Sequence, residues 1–287
     1  MGRQDLLGWM GRRRGSNLAS VEPAKGRQLV DVGAAAPEDV QRAVQRASDA
    51  QQAWAATPYD IRATVLRRAA DLLAEHQVEL EDWVVREAGL PRYFASALGA
   101  AEEFRQAAAL ASAPLGQVLP SVQPRLSFTR RRPLDVVGVI APFNAPLILA
   151  ARALAPALAV GNAVVLKPDP RTAVCGGVAF ARLLEEAGLP TDVLHVLPGG
   201  GDIGRELVTH PDVPVIAFTG SVNAGREVAR LAAGLLKRVH LELAGNSALV
   251  VLEDADLEQA VTAAASAPST TRARCAWPQA VILSLLP

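Results

Sequence analysis

The stretch that decides the fold is Val136-Val137-Gly138-Val139-Ile140-Ala141-Pro142-Phe143-Asn144-Ala145-Pro146. Its five leading apolar residues predict a strand that is buried on both faces, and a helical pattern from 146 to about 160 follows the loop. The same succession of apolar run, short loop and helical pattern continues to residue 243. Such alternation predicts an α/β fold with a parallel sheet covered by helices on both faces.

The other elements follow from the same patterns on either side of this stretch. Upstream of it, residues 118–132 alternate only partly, which predicts an edge strand or hairpin arm. The segment up to about residue 35 is polar, and we expect it to be irregular. Further strands are predicted at 162–166, 193–197, 215–218 and 239–243, and helices at 37–54, 59–76, 79–87, 94–113, 172–187, 203–210 and 224–236.

Composition argues against several classes of partner. Lys+Arg and Asp+Glu are equal at 29 each, so there is no electrostatic case for nucleic acid or an acidic membrane surface. The two cysteines, Cys175 and Cys275, are too few for a disulfide framework or a zinc site and favour a reducing, cytoplasmic setting. Residues 145–166 are apolar enough to suggest a membrane span, but Arg152 and Pro156 interrupt them, so we expect a buried helix and strand instead.

Small, polar or ionisable residues follow each predicted strand. In open parallel sheets, ligands bind beyond the carboxyl ends of the strands, so these loops are expected to share one site. Five such loops at one sheet edge are hard to explain by packing alone. They comprise residues 141–144, 167–170, 198–201, 219–221 and 242–246.

Two of these loops have two readings each. Gly220 and Gly225 follow a strand and open a helix, where exposed N–H groups suit a pyrophosphate or a nicotinamide ribose. The same glycines can instead mark a turn, and they do not match the Gly-x-Gly-x-x-Gly fingerprint. Lys167, at a strand end, is either a ligand for ribose hydroxyls or an ordinary surface lysine.

The candidate catalytic residues also have two readings each. Glu242 lies between two leucines, and a carboxylate in apolar surroundings can serve as a general base near neutral pH. Otherwise it is a partner for Arg238 or His240. Asn144 can donate an N–H to a developing oxyanion, or it can be a turn or N-cap residue.

Taken together, the five loops resemble the aldehyde dehydrogenase superfamily across about residues 21–267. Residues 142–146 resemble its Pro-Trp/Phe-Asn-x-Pro oxyanion segment, and 218–221 with Gly225 resemble its nicotinamide loop. Residues 241–246 are similar to its Glu-Leu-Gly-Gly general-base motif, and 167–172 are similar to the benzaldehyde dehydrogenases of that family. The resemblance implies a Rossmann-type sheet, an N-terminal helical segment and a protruding oligomerisation arm.

The resemblance also implies an activity and a site. The activity is NAD(P)-dependent oxidation of an aldehyde, an aromatic one by the closest motif, to its acid through a cysteine thioester in a homo-oligomer. Asn144 would polarise the aldehyde oxygen, Glu242 would activate the hydrolytic water, and Lys167 would hold the adenosine ribose. The implied cofactor-binding residues are Ile140, Pro142, Phe143, Lys167, Gly201, Phe218, Thr219, Gly220, Ser221, Gly225 and Leu243.

Two departures from the family pattern affect these roles. Ala244 replaces the first glycine of the general-base motif, which changes the backbone freedom of that loop. Pro170 stands where many members have a glutamate for the ribose hydroxyls. NAD is therefore the expected cofactor, with NADP still open.

The resemblance divides the chain into five parts. We expect residues 1–114 to be the N-terminal helical part of the cofactor-binding domain, 115–133 the oligomerisation arm and 134–245 the Rossmann-type domain. Residues 246–267 would begin a catalytic domain that is largely missing, and 268–287 would be an out-of-frame tail.

The tail suggests a lost reading frame. The surroundings of Cys275 do not match the family's nucleophile segment. Read one nucleotide earlier, codons 269–278 can give Phe-His-His-Gln-Gly-Gln-Val-Cys-Met-Ala, which does resemble it. The hypothesis is a one-base deletion near codons 267–268, with Cys275 as a trace of the nucleophile. The other reading is a natural variant with an unrelated tail. Either way we expect little or no dehydrogenase activity, so a non-enzymatic dinucleotide-binding remnant or a defective gene product is the alternative.

Overall fold

The first element of the described structure is a β-hairpin. A computed structural model describes residues 17–245, 248–252, 254–269 and 280–283. In it β1 (Asn17–Glu22) pairs antiparallel with β2 (Arg27–Gly33). The expectation of an irregular segment here is therefore wrong from residue 17 onward. The buried side chains of β1 are Ser20 and Glu22, so the inner face of this strand is polar and lacks the hydrophobic alternation that would have revealed it.

Four helices follow the hairpin, as predicted. The first begins with a proline and has Glu38 and Asp39 in its first turn, which favour the positive end of a helix. The third ends at Gly89, whose φ of +68° is the left-handed conformation that glycine adopts without strain. The helices are α1 (Pro37–Ala56), α2 (Tyr59–Glu75), α3 (Gln77–Ala88) and α4 (Ala97–Leu110).

The predicted hairpin arm is confirmed. Strands β3 (Val118–Leu119) and β4 (Ser127–Phe128) are short and pair antiparallel. Val122 and Leu126, between the strands, are exposed. The arm thus presents apolar side chains to solvent.

The centre of the molecule is a five-stranded parallel sheet. Its strands are β5 (Val136–Ile140), β6 (Ala163–Lys167), β7 (Leu194–Val196), β8 (Val215–Gly220) and β9 (Arg238–Leu243), in the spatial order β7-β6-β5-β8-β9. The chain builds outward from β5 to β7 and then returns to the other side of β5. The order therefore reverses between β5 and β8, which is where open α/β sheets form a ligand crevice.

The helices between these strands confirm the predicted alternation. They are α5 (Pro146–Ala159), α6 (Ala179–Glu186), α7 (Gly201–Thr209) and α8 (Val222–Ala233). A π-helical turn, Val174–Val178, precedes α6 within the range expected to be one helix. Trp54 of α1 donates its indole N–H to the carbonyl of Leu158 in α5 (2.9 Å). The buried apolar residues from Val32 to Ala232 form one core, so the N-terminal helices and the sheet are packed as a unit.

The helices do not cover both faces of the sheet at the edge formed by β9. The central strands β5 and β6 are almost entirely buried, whereas five of the six residues of β9 are exposed. The expectation that both faces are covered is therefore correct for the central strands and wrong for β9.

The last described elements form a separate two-stranded sheet. Strand β10 (Ala248–Val251) pairs parallel with β11 (Ala280–Leu283), and helix α9 (Leu257–Ser269) lies between them in sequence. Across the described ranges, each helix falls short of the length and apolar character that crossing a membrane requires.

Candidate functional site

The carboxyl ends of four neighbouring strands, β6, β5, β8 and β9, lie along one edge of the sheet. Lys167 lies opposite Ile140, Ile140 opposite Phe218, and Phe218 opposite Leu241. Because neighbouring strands are about 4.8 Å apart, these four residues form one row across the sheet. The loops that follow them therefore meet at one edge, as the sequence predicted.

A cleft of about 430 Å³ opens at this edge, between the ends of β5, β6 and β8 and the helices α7 and α8. A second hollow of about 390 Å³, between Glu75 and Arg86, contains none of the predicted residues. The cleft brings together nine of the eleven residues expected to bind a cofactor, which are Ile140, Pro142, Phe143, Lys167, Gly201, Phe218, Thr219, Gly220 and Ser221.

Lys167 lies in the wall of the cleft and is only 7% exposed. Burial lowers the pKa of its ammonium group, and the nearby carboxylates of Asp169 and Asp202 offset this only in part. Within the described ranges the ammonium group makes no hydrogen bond or ion pair. The surface-lysine reading is therefore wrong, and a buried cation of this kind is suited to a polar ligand.

Two helix N-termini open into the cleft. Helix α7 starts at Gly201 without a side-chain cap, and a Cβ added at Gly201 would meet no atom within 4 Å. Helix α8 starts after Ser221, whose Oγ accepts the backbone N–H of Ala224 (3.3 Å). Free N–H groups and the positive ends of two helix dipoles favour a negatively charged group between them.

An ion pair in the wall of the cleft was not singled out by the sequence. The guanidinium group of Arg171 donates to both carboxylate oxygens of Asp169, at 2.8 Å each. Its central carbon lies 3.5 Å from the ring centroid of Phe143, a cation–π contact. Burial alone would raise the pKa of Asp169, but the hydrogen bonds from Arg171 and the positive charges of Arg171 and Lys167 together lower it further than burial raises it. The sequence signal that could have revealed this ion pair is two opposite charges, two residues apart, in the loop at the end of a strand.

The two predicted catalytic residues lie outside the lining of the cleft. Asn144 is half-buried and precedes the N-cap Ala145, and its side chain makes no hydrogen bond with the described residues. The N-cap reading of Asn144 is therefore wrong. The Glu242 side chain is 58% exposed, and its Oε1 lies 3.2 Å from Nε2 of His240. The apolar surroundings expected for Glu242 are absent from the described part of the chain, and the pairing with His240 is confirmed.

Gly225 and Leu243 also lie apart from the cleft. A Cβ added at Gly225 would come within 2.4 Å of Cδ2 of Leu243. The two residues therefore form a contact between α8 and β9, in which the missing side chain of Gly225 allows the leucine to approach the helix.

Cys175 is a core residue, as predicted. It is fully buried in the π-helical turn, and burial raises the pKa of its thiol well above the usual value, as does the neighbouring carboxylate of Glu87. Glu87 accepts hydrogen bonds from the backbone N–H of Cys175 (2.7 Å) and from Oγ of Ser20 (2.7 Å). A buried, protonated thiol is a poor nucleophile. Cys275 lies outside the described residues.

Comparison with known proteins identifies relatives over most of the chain. The model of the aldehyde dehydrogenase family matches residues 9–283, which extends past residue 267, where we expected family-like sequence to end. A vanillin dehydrogenase of an Amycolatopsis species is 60% identical over 256 residues, which are 88% of this chain and 53% of that protein. The NAD⁺-dependent benzaldehyde dehydrogenase of Pseudomonas putida is 49% identical over 255 residues, 88% of this chain and 52% of that protein.

A solved structure supports the same relationship. The crystal structure of an NAD-dependent benzaldehyde dehydrogenase from Corynebacterium glutamicum superposes with a TM-score of 0.86 at 39% identity, covering 93% of this chain and 60% of that one. The chain thus spans about half the length of the curated relatives that it matches.

Proposed function

Because the chain belongs to the aldehyde dehydrogenase family, we propose that it provides the NAD-binding part of a dehydrogenase that oxidises aromatic aldehydes to acids. The observation that supports this best is the cleft at the switch point of the sheet, with buried Lys167 in its wall. NAD, when bound, supplies the acceptor for the hydride that leaves the aldehyde carbon. The names of the relatives, which act on vanillin and benzaldehyde, support an aromatic substrate.

The residues of the cleft fit the chemical groups of a dinucleotide. The Lys167 ammonium would donate to the hydroxyls of the adenosine ribose. The N-termini of α7 and α8 would bind the pyrophosphate through backbone N–H groups. A Cβ added at Gly204 would lie 3.9 Å from both Lys167 and Ile140, so glycine leaves this part of the cleft open.

The catalytic residues would act at the same edge of the sheet. Asn144, in the loop after β5, has a free amide that would donate to the aldehyde oxygen as negative charge develops there. Glu242 would take a proton from the water that hydrolyses the thioester. Its exposed position in β9 means that further polypeptide must cover it before it becomes an effective base.

Calorimetric titration of the purified 287-residue chain tests cofactor binding. We expect one NAD to bind per chain, and nicotinamide mononucleotide, which lacks the adenosine ribose and the pyrophosphate, to bind far more weakly. A chain that is folded by circular dichroism and does not bind NAD would refute the proposal.

An enzyme assay addresses activity. Since Cys175 is inaccessible, we propose that the 287 residues alone bind dinucleotide with little or no dehydrogenase activity, which is the non-enzymatic alternative. NADH formation from benzaldehyde and NAD by this chain would refute that statement.

The gene sequence around codon 268 tests the frame hypothesis, and a stop codon with no family-like frame downstream would exclude a deletion.

Assembly and location complete the proposal. The exposed apolar side chains of the arm, such as Val122 and Leu126, would pack against another subunit in a homo-oligomer. The free Cys175 fits a reducing, cytoplasmic setting.

A further inference from the structure

We propose that Asp169 sets the preference for NAD over NADP by keeping the guanidinium group of Arg171 engaged. This inference rests on the proposed binding of the adenosine ribose at Lys167. It concerns the only chemical difference between the two cofactors, the phosphate on the 2′-oxygen of that ribose.

The first step is the geometry of the ion pair. Nε and Nη2 of Arg171 both donate to Asp169, one to each carboxylate oxygen, at 2.8 Å. This two-pronged arrangement is the one with which arginine recognises a phosphate. The edge of the guanidinium group formed by Nε and Nη2 is therefore occupied by the carboxylate and is not available to a 2′-phosphate.

The second step is the position of the pair. Asp169 is close enough to Lys167 for each to affect the pKa of the other, so the carboxylate lies near the proposed ribose site. The contact with the Phe143 ring, 3.5 Å from the guanidinium carbon, holds Arg171 against the wall of the cleft. Both charges line the cleft itself.

The third step is charge. In dinucleotide sites an acidic residue accepts a hydrogen bond from the 2′-hydroxyl of NAD, whereas an arginine accommodates the 2′-phosphate of NADP. This chain has both residues side by side, and they neutralise each other. A 2′-phosphate carries roughly two negative charges, so Asp169 would repel it while occupying the Nε–Nη2 edge of the arginine that could bind it. The proline at position 170, between them, cannot replace either interaction.

The variant Asp169→Asn tests this in the 287-residue chain. The asparagine oxygen can still accept the backbone N–H of Arg171, which Asp169 Oδ1 accepts at 3.0 Å, so the turn is kept while the negative charge is removed. We expect calorimetry to show NADP binding about tenfold tighter than in the parent, the effect of one charged hydrogen bond, and NAD binding little changed. Arg171→Leu should instead weaken NADP relative to NAD, and the double variant should lose the gain of Asp169→Asn.

Glu75→Gln is the matched control. It makes the same change in net charge and releases Arg68, its partner at 2.7 Å on α2, outside the cleft. We expect it to leave the ratio of NADP to NAD affinity unchanged, and circular dichroism verifies the fold of each variant.

The outcomes separate this inference from the proposed function. Absence of NAD binding by the folded parent chain would overturn both. NAD binding with an NADP affinity that Asp169→Asn leaves unchanged, or that Glu75→Gln raises equally, would overturn only the role of Asp169.

Discussion

Replacing Gly204 by alanine should stabilise the fold and weaken cofactor binding at the same time. Gly204 is buried in the interior of α7, and a Cβ there would lie 3.9 Å from Cδ1 of Ile140 and from Cδ of Lys167. Both distances are ordinary van der Waals contacts, so the methyl group fits against these two side chains without strain. Alanine in a helix interior is favoured over glycine by about 0.5–1 kcal/mol.

These values translate into two measurements. For a domain of this size, each kcal/mol corresponds to about 2–4 °C in melting temperature, so we expect a rise of roughly 1–4 °C. Where the cofactor packs against this helix, an extra methyl group costs about 1–3 kcal/mol, which weakens NAD binding by about fivefold or more. Thermal unfolding followed by circular dichroism and calorimetric titration give the two values.

Gly234→Ala provides the control. Gly234 follows α8 with a right-handed φ of −62° and is outside the cleft lining. Its Cβ would meet only a carbonyl oxygen at 3.7 Å, so NAD affinity should stay unchanged. Unaltered NAD affinity in Gly204→Ala would show that the cofactor does not pass over α7. A fall in its melting temperature would show that a methyl group at this position is not accommodated without strain.

Three further substitutions test other parts of the structure. Glu87→Gln should lower the free energy of unfolding in urea by about 2–3 kcal/mol, because an amide cannot accept all the hydrogen bonds that this 1% exposed carboxylate receives. Lys167→Met should raise the melting temperature, since burial disfavours the charged lysine, and should weaken NAD binding by more than about tenfold. Burial lowers the pKa of Lys237 from 10.5 to about 8. Between these pH values the unfolded state binds more protons than the folded state, so the parent should gain stability relative to Lys237→Met as pH rises through this window.

A specific result would contradict each of these three predictions. Unchanged urea stability in Glu87→Gln would mean that the carboxylate does not hold the π-helical turn. Parental NAD affinity in Lys167→Met would show that Lys167 does not bind the ribose. A stability difference for Lys237→Met that is constant between pH 8 and 10.5 would contradict the depressed pKa.

The sheet was predictable because its strands carry their signal in consecutive residues. Strands such as β5, buried along almost their whole length, appear as unbroken apolar runs, and the helices between them keep a regular apolar spacing. Strand β1 of the first hairpin carries no such signal, because its buried side chains are Ser20 and Glu22 and Ser20 donates a hydrogen bond to Glu87, 67 residues away. A contact at that separation cannot be read from local periodicity.

The site was predictable in its location and less so in its contacts. Parallel strands bring their carboxyl ends together, so loops far apart in sequence were expected at one edge. The exposure of Glu242 depends on what covers β9, and the pairing of Arg171 with Asp169 depends on side-chain conformation. The opposite charges at positions 169 and 171 make the ion pair possible, but residue types alone fix neither of these two features.

The sparse cover of β9 has a consequence for backbone dynamics. Amide hydrogens of β5, enclosed between β6 and β8, should exchange with solvent only through large-scale unfolding. Those of β9, at the sheet edge with mostly exposed side chains, should exchange through local opening. The strand that carries Glu242 is then the least protected of the sheet, and any polypeptide that packs over it should slow the exchange of its amide hydrogens.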